Sequence, residues 1–392
     1  MLKNFSIWAI AIALAVVSGT TALGAIAKKI TPELAVSIKP VNGFATEAMA
    51  LRMVRSSIQK DQGTFPTRIN PAFYNLALLA FKSEPTGSGA VATIALFQSG
   101  NKRRQMMEKA FDLSRRQLLV TGWLIADSGA KGDMGSILNY YDAMLRTSSS
   151  ASEVVIPVMA GALADDAAVE PFATILSSNP PWADTFWGQV VRRPDLVANA
   201  LKLRQRLYKP NEREGAFRDG ALIDELVQNY YFKSAERHYE LLTKSANTGD
   251  IVRNSDFGVQ SRYPPFDWRL YSTGEYGASI QRDSLSLSAI QNSGGLFARQ
   301  LVKLPDRVLK LNAEFNQTIP SNAVLYLELS CAEKIPNRPK GIKIPVTEKS
   351  IERTISNKGS SCEYYWFDIG GRSTDNGTGF DVGLNRLSLT AS

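Results

Sequence analysis

The stretch AVLYLELSC, residues 323–331, alternates apolar and polar side chains from Leu325 onward. Such a period of two is typical of a β-strand with one buried face and one outer face. The apolar row consists of Leu325, Leu327, Leu329 and Cys331, and the opposite row of Tyr326, Glu328 and Ser330. We therefore predict that this stretch is a strand whose Cys331 side chain points into a protein core.

A second stretch, CEYYWFDI at residues 362–369, has the aromatic content of a β-strand. If Cys362 pairs with Cys331, the face of this strand that carries Tyr364 and Trp366 points inward as well. The opposite face carries Glu363, Tyr365 and Phe367. Because that face is unusually aromatic for a solvated surface, we expect it either to pack under another domain or to stay open for a ligand.

The only cysteines of the chain are Cys331 and Cys362. Two cysteines are too few for a metal cluster. In an oxidising compartment a disulfide between them adds roughly 3 kcal/mol by restricting the unfolded chain, whereas in a reducing compartment both are ordinary buried thiols. The N-terminal segment bears on this choice.

Residues 1–27 have the layout of a secretory signal. Lys3 and the amino terminus supply positive charge, residues 7–17 are an unbroken apolar run, and residues 18–27 are rich in small side chains. As one helix, residues 7–27 span about 31 Å, close to the hydrocarbon thickness of a bilayer. Three interpretations of residues 1–27 stay open: an uncleaved membrane anchor, a cleaved signal and a buried N-terminal helix. The first two place the bulk of the chain in the periplasm, either anchored in the inner membrane or released from it.

Residues 28–254 carry apolar side chains at three- and four-residue steps, which predicts a series of amphipathic helices. Short segments rich in glycine, proline and serine separate these helices. The clearest unit is residues 116–147, in which two predicted helices flank a turn at residues 129–132. Short helices joined by short turns are typical of repeat arrays, in which each pair buries its apolar stripe on its neighbours.

Near Asn254 the period changes from helical steps to alternation. Residues 255–392 contain about nine short alternating stretches separated by turn residues, which predicts an antiparallel β-sandwich. The chain is thus predicted to be a multidomain protein of the α-then-β class. Its parts are a signal or anchor at residues 1–27, an α-helical domain at residues 28–254 and a β-sandwich at residues 255–392.

These stretches carry two resemblances. Residues 116–147 resemble a degenerate tetratricopeptide repeat, because Ser136, Tyr140 and Ala143 match the second-helix pattern of that family. Five segments are similar, in this order, to the jelly-roll of carbohydrate-binding modules: residues 264–268, 297–305, 325–331, 362–367 and 380–389. The combination resembles uncharacterised bacterial envelope proteins that are linked to exopolysaccharide production.

The resemblance to carbohydrate-binding modules implies that aromatic rings of the sandwich stack on a sugar. The candidate rings are Trp268, Tyr271, Tyr365 and Phe367. Packing in the core or against another domain is the alternative for each of them. The chain departs from the modules after residues 304–305, where Asp306 and Arg307 replace the usual glycine and aromatic. Oxygen ligands for calcium, as such jelly-rolls sometimes carry, would come from Asp375, Asn376 and Asp381, with a polar hairpin loop as the alternative.

The net charge of +8 favours anionic neighbours such as acidic polysaccharide or lipid head groups. The basic residues are spread out, without zinc-ligand spacing or an aromatic-interleaved basic stripe, so we expect no nucleic-acid partner. His238, the only histidine, lies in a polar stretch and is predicted to be a surface residue.

Together these features favour a non-enzymatic cell-envelope protein without a cofactor. Its helical repeats would bind a protein partner, its sandwich would contact a glycan and residues 7–27 would contact the membrane. Two alternatives stay open, a structural adaptor without glycan binding and a glycan hydrolase using carboxylates such as 165–166 or 224–225. Hydrolysis needs two carboxyl groups facing each other across a cleft, which sequence neighbours on one helix rarely achieve, so we do not expect an enzyme.

Overall fold

The structure of the chain is a computed structural model. The residues that the structure describes are Glu33, Ala35, Val36, 42–60, Phe65, 70–209, 218–243, 249–374 and 378–391. The predicted signal or anchor at residues 1–27 lies outside them, as do the calcium candidates Asp375 and Asn376. The chain divides into two compact units, residues 1–186 and residues 187–392.

The helical part confirms that an α-helical region precedes the β-rich region. Its helices are α1 (Gly43–Lys60), α2 (Pro71–Ser83), α3 (Ser88–Leu96), α4 (Gly100–Leu113), α5 (Leu118–Ala130), α6 (Met134–Thr147), α7 (Ser152–Ala162), α8 (Val169–Leu176), α9 (Ala183–Val190), α10 (Val197–Leu207), α11 (Asp219–Gln228) and α12 (Phe232–Thr243). Helices α1 to α8 belong to the first unit, and α10 to α12 belong to the second. Among the described residues, no helix combines the length and the apolar character that a membrane crossing requires.

Local signals explain where these helices begin and end. Helix α2 has a proline at its first position, and the Asn70 side chain accepts a hydrogen bond from the backbone N–H of Ala72. Helices α2 and α4 end alike, because the residue after each helix donates its N–H to a buried alanine carbonyl, Ala80 in α2 and Ala110 in α4. Small buried residues at these positions let neighbouring helices approach closely.

The helix pair predicted in residues 116–147 is present as α5 and α6. The turn between them passes through Gly132 at φ +69°, a conformation that glycine adopts without strain. Asp133 then caps α6 by accepting a hydrogen bond from the N–H of Ser136. The assignment of this pair to the tetratricopeptide family stays a prediction.

The β-rich part consists of two antiparallel sheets, which confirms the predicted sandwich. The strands are β1 (Arg269–Leu270), β2 (Tyr276–Gln281), β3 (Ser284–Ala289), β4 (Gly294–Lys303), β5 (Val308–Phe315), β6 (Ala323–Cys331), β7 (Ile342–Val346), β8 (Ser350–Ser356), β9 (Tyr364–Ser373) and β10 (Phe380–Ala391). The first sheet has the order β1-β4-β9-β6-β7 and the second sheet the order β2-β3-β10-β5-β8. From β3 onward the chain crosses between the sheets at almost every connection, which is the arrangement of a jelly-roll.

The core of the sandwich lies between the two sheets. Side chains that alternate along each strand meet there, as the period of two predicts. Strand β6 contributes its odd positions from Leu325 to Cys331 and β5 contributes Leu309 and Leu311, all of them buried. Helices α11 and α12 belong to the same unit, and Arg269 of β1 forms an ion pair with Asp224 of α11 over 2.6 Å.

Cys331 and Cys362 form a disulfide, with their Cα atoms 6.0 Å apart. The bond joins the end of β6 to the segment that leads into β9, and both side chains are buried. The sequence left open whether these cysteines are bonded or free, and the structure shows them bonded.

Replacing both cysteines by serine should lower the free energy of unfolding by about 3–4 kcal/mol, because the unfolded chain loses a closed loop. Urea denaturation of the wild type and of the Cys331→Ser/Cys362→Ser variant measures the difference. A reductant should reproduce the loss in the wild type and leave the variant unchanged. Equal unfolding of the oxidised and reduced wild type would contradict the prediction.

Candidate functional site

Three of the four predicted sugar-contacting rings lie inside the sandwich. Trp268, Tyr365 and Phe367 are 0%, 6% and 1% exposed. The ring centroids of Trp268 and Phe367 are 6.2 Å apart, and the hydroxyl of Tyr365 lies 3.0 Å from Asn357 Oδ1. A ring enclosed in the core cannot stack on a sugar, so the assignment of these three residues to a glycan site is wrong.

This prediction failed because side chains along residues 364–373 alternate one residue out of step with the alternation counted from Cys362. Strand β9 begins at Tyr364, so Cys362 lies before it and does not fix which side chains share its face. In the register of β9 against β6, Tyr365 lies opposite Cys331, and this pair faces the core. Tyr364 and Trp366 therefore point away from the core, opposite to the prediction.

We call the side of the first sheet that points away from the second sheet the outer face. Strand alternation and register place on it Arg269, Arg299, Leu301, Lys303, Val324, Tyr326, Glu328, Ser330, Lys343, Pro345, Tyr364, Trp366, Asp368, Gly370 and Arg372. One cross-strand row runs Arg299, Asp368, Glu328, Lys343. The outer face thus combines aromatic rings with charged and hydrogen-bonding groups.

Helix α12 covers the outer face where β9 begins. The rings of Phe232 and Tyr364 stack with centroids 5.2 Å apart, and the Tyr364 hydroxyl donates to Glu236 Oε2 over 2.7 Å. Burial and the neighbouring Glu236 raise the pKa of Tyr364 well above its usual range. Tyr364 is therefore a structural contact between the helix and the sheet.

A cleft of ≈ 640 Å³ lies beside this contact, between α12 and the end of the sandwich. Lys303 pairs with two carboxylates of the cleft lining. Lys303 Nζ lies 3.0 Å from Glu363 Oε1 and 3.6 Å from Glu236 Oε2. The hydrogen bond from Lys303 is the main reason that the pKa of Glu363 is lowered. The lining as a whole carries more carboxylates than cations, since it also includes Glu240, Asp250 and Asp306, so the cleft does not favour an anionic ligand.

Farther along β9, a network of three side chains holds Trp366. Arg299 binds Asp368 through two hydrogen bonds, Nε to Oδ1 over 2.6 Å and Nη2 to Oδ2 over 2.7 Å. Its guanidinium carbon lies 4.9 Å from the centroid of the Trp366 ring. The hydrogen bond to Asp368 raises the pKa of Arg299 despite partial burial. Because Asp368 holds the planar guanidinium of Arg299 in place, the guanidinium in turn restricts the half-buried indole of Trp366 beside it.

Besides Trp366, the outer face carries a second half-buried ring, that of Tyr326. Its ring lies over Gly370, where a Cβ atom would collide with ring atoms, so glycine makes the close approach possible. Lys343 Nζ is 3.5 Å from the ring centroid. Burial, followed by the charges of Glu328 and Asp368, raises the pKa of Tyr326. The phenol therefore stays protonated near neutral pH and keeps a hydroxyl that can donate.

An open groove of ≈ 620 Å³ lies beside Tyr326. It is lined by Gly294, Gly295, Val324, Leu325, Tyr326, Lys343, Pro345, Gly371 and Arg372. Trp366 pairs with Ser330 and Tyr326 with Gly370, so the two rings are four residues apart along β9, about 13 Å. One extended ligand can therefore contact both rings.

Tyr271, the fourth predicted sugar-contacting ring, lies near the outer face. It is half-buried, and its N–H donates to the carbonyl of Phe297 over 2.9 Å, which continues the pairing of β1 with β4. After Asp368, the Tyr271 phenol also contributes to the raised pKa of Arg299. Tyr271 thus lies at the margin of the outer face.

The calcium candidate that can be placed is Asp381. It lies on β10 in the second sheet, where its Oδ1 accepts a hydrogen bond from the hydroxyl of Ser286 over 3.2 Å. Within the described residues, no group of three or more His, Cys, Asp or Glu side chains is arranged to hold a metal ion.

His238 is buried, and its prediction as a surface residue is wrong. It is 0% exposed on α12, and its Nε2 lies 3.0 Å from Asp219 Oδ1. The same carboxylate accepts two hydrogen bonds from Arg204, which is 3% exposed. These three side chains join α10, α11 and α12 and form a structural network.

The sequence contained a signal for the outer face. The alternation in residues 323–331 already placed Tyr326 and Glu328 on the side away from the core. What it could not show is that Trp366, Arg299 and Lys343 come from three other strands to the same side.

No protein-family model matches the sequence, and no curated protein is significantly similar to it. Among solved structures, the chain is similar to TmCBM61 in complex with beta-1,4-galactotriose, with 13% sequence identity and a TM-score of 0.26 over 36% of this chain and 99% of that chain. A CBM4 structure is similar with 10% identity and a TM-score of 0.26, again over 36% of this chain and 99% of that chain.

Proposed function

We propose that the β-sandwich binds a glycan on the outer face of its first sheet, through Tyr326 and Trp366. The observation that carries this proposal is the pair of half-buried rings on one sheet face, beside an open groove and fixed polar groups. Neither ring is part of the sandwich core. A role in core packing therefore does not account for them.

The chemistry of the face suits a polyhydroxylated ligand. The C–H groups of one side of a pyranose ring pack on an aromatic ring, and its hydroxyls need donors and acceptors at the edge. Glu328 offers acceptor oxygens near Tyr326, and the protonated Tyr326 phenol offers a donor. Because Asp368 already holds Arg299 beside the Trp366 ring, little side-chain ordering is needed there when the ligand binds.

The wider proposal is a non-enzymatic envelope protein that takes part in exopolysaccharide assembly or export. Residues 1–27 would deliver it to the periplasm, and the helical repeats would bind a protein partner there. The disulfide supports this compartment, because such bonds persist in oxidising surroundings. A structural adaptor that does not bind glycan is the competing function.

Affinity electrophoresis of the full-length protein in gels that contain soluble polysaccharides tests the proposal. We expect retardation in at least one gel, and Trp366→Ala should weaken the interaction about tenfold or more, equivalent to about 1.4 kcal/mol. Tyr231→Ala is the matched control, because this ring is 47% exposed and belongs to the turn before α12.

Two results would contradict the proposal. Trp366→Ala could bind as tightly as the wild type, which would remove the outer face from the interaction. The wild type could also show no retardation in any gel, and the adaptor function would then replace glycan binding.

A further inference from the structure

We propose that the groove beside Tyr326 binds a sugar unit that carries a carboxylate, such as a uronic acid in an acidic polysaccharide. This inference rests on the proposed glycan binding and names the chemical class of the ligand. It starts from two cations of the groove, Lys343 and Arg372, which are both exposed.

The two cations lie on opposite sides of the ring. Arg372 on β9 is opposite Val324, and Lys343 on β7 is opposite Glu328. Each is therefore displaced from Tyr326 by two residues along the strands, about 7 Å, and in opposite directions. A sugar stacked on Tyr326 lies within reach of both side chains.

Neither cation is neutralised by a carboxylate of the described residues. In the part of the chain that the structure describes, Lys343 and Arg372 have no carboxylate within ion-pair distance, and no described lining residue of the groove is acidic. Some cations of the sandwich are paired, for example Arg299 with Asp368 and Lys310 with Glu352. The two cations and the absence of described acids from its lining give this groove a net positive charge.

Glu328 is the nearest acid by register, since it lies directly opposite Lys343. It makes no ion pair with Lys343, whose ammonium lies instead over the Tyr326 ring. Glu328 is also outside the groove lining. The ammonium is held only by an exposed cation–π contact, which is weak, so a carboxylate of the ligand can draw it away.

A carboxylate fits these groups better than a neutral sugar does. The guanidinium of Arg372 presents a planar fork of donors that matches the two oxygens of a carboxylate, and Lys343 adds a second, mobile charge. A neutral sugar would gain the contact with Tyr326 and ordinary hydrogen bonds from these donors, but not the stronger charge-assisted pairing. The net charge of +8 acts in the same direction, because it attracts a polyanion at long range.

The experiment compares polygalacturonate, alginate and hyaluronate with the carboxyl-reduced form of each polymer, using the full-length protein and isothermal titration. We expect at least one acidic polymer to bind roughly tenfold more tightly than its reduced form, with an affinity that falls as salt rises. The Lys343→Gln/Arg372→Gln variant should bind both forms alike. Tyr326→Ala should weaken binding of both forms.

The matched control is Lys349→Gln/Lys358→Gln, which removes the same charge from exposed lysines outside the groove. It should keep the preference for the acidic polymer. If the control loses the preference as well, overall charge explains it and the groove does not, which overturns the inference.

The remaining outcomes separate this inference from the proposed function. Equal binding of acidic and reduced polymers, or binding of reduced polymers alone, overturns the inference and leaves glycan binding intact. The inference is also overturned if the protein prefers phosphatidylglycerol vesicles or single-stranded DNA to every acidic polymer. No binding to any polymer of either form overturns both.

Discussion

Replacing Trp268 by alanine is expected to lower the free energy of unfolding of the sandwich by about 3–5 kcal/mol. The indole is fully buried, with its ring centroid 6.0 Å from that of Phe257 and 6.2 Å from that of Phe367. Removal of so large a side chain from a packed core forfeits its transfer free energy and leaves a cavity. Equilibrium urea unfolding, followed by circular dichroism, measures the loss.

Trp366→Ala is the matched control for this prediction, because it removes the same ring from the outer face. We expect it to cost about 1 kcal/mol or less in stability. Trp268→Ala should thus mainly lower the free energy of unfolding, whereas Trp366→Ala should mainly weaken glycan binding. If Trp268→Ala unfolded like the wild type but no longer bound glycan, Trp268 would be a ligand contact after all.

The strand at residues 323–331 shows what a sequence can establish. Its predicted apolar row is buried, with Leu325 at 2% exposure and Leu327, Leu329 and Cys331 at 1% each. Alternation within one strand is a local property, and a strand with a single buried face allows only one phase. The prediction of a buried Cys331 needed no knowledge of the partner strands.

The strand at residues 364–373 shows where such reasoning stops. The prediction counted the alternation from Cys362, which assumed that the strand begins there. A disulfide needs only that its two cysteines come close, so Cys362 pairs with Cys331 from a segment before the strand. An error of one residue in the phase then moves every side chain to the other face.

Strand β7 is the element that the sequence did not reveal. It contains Pro345 and lies in a segment rich in proline and lysine, a composition that is typical of a loop. Proline is tolerated because β7 is the edge strand of the first sheet, where one side of the backbone needs no partner. Edge position depends on the topology of the whole sheet, so Lys343 was not recognised as a site residue.

The burial of His238 was predictable in part. Phe232, Ala235 and Tyr239 are buried on one side of α12, and His238 lies three residues after Ala235, on the same side. The many charges of this helix concealed its apolar stripe. The partner of the imidazole, Asp219, comes from another helix, and no local pattern indicates such a contact.

Asp219→Ala is therefore expected to destabilise the second unit by about 3–5 kcal/mol, because it removes the carboxylate from a buried ion pair. Asp219 Oδ1 lies 3.0 Å from Arg204 Nε, and its Oδ2 lies 3.1 Å from Arg204 Nη2. His238 would lose its contact with the same carboxylate. Both side chains are almost inaccessible to water, so solvent cannot replace the lost interactions.

The control is Asp224→Ala, five residues farther along α11. Asp224 is one third exposed and pairs with Arg269, which is also partly exposed. Water screens such a pair, so its removal should cost about 1 kcal/mol or less. Asp219→Asn should fall between the two, since the amide keeps one acceptor but not the charge. Equal losses for Asp219→Ala and Asp224→Ala in urea unfolding would show that burial does not set the strength of this network.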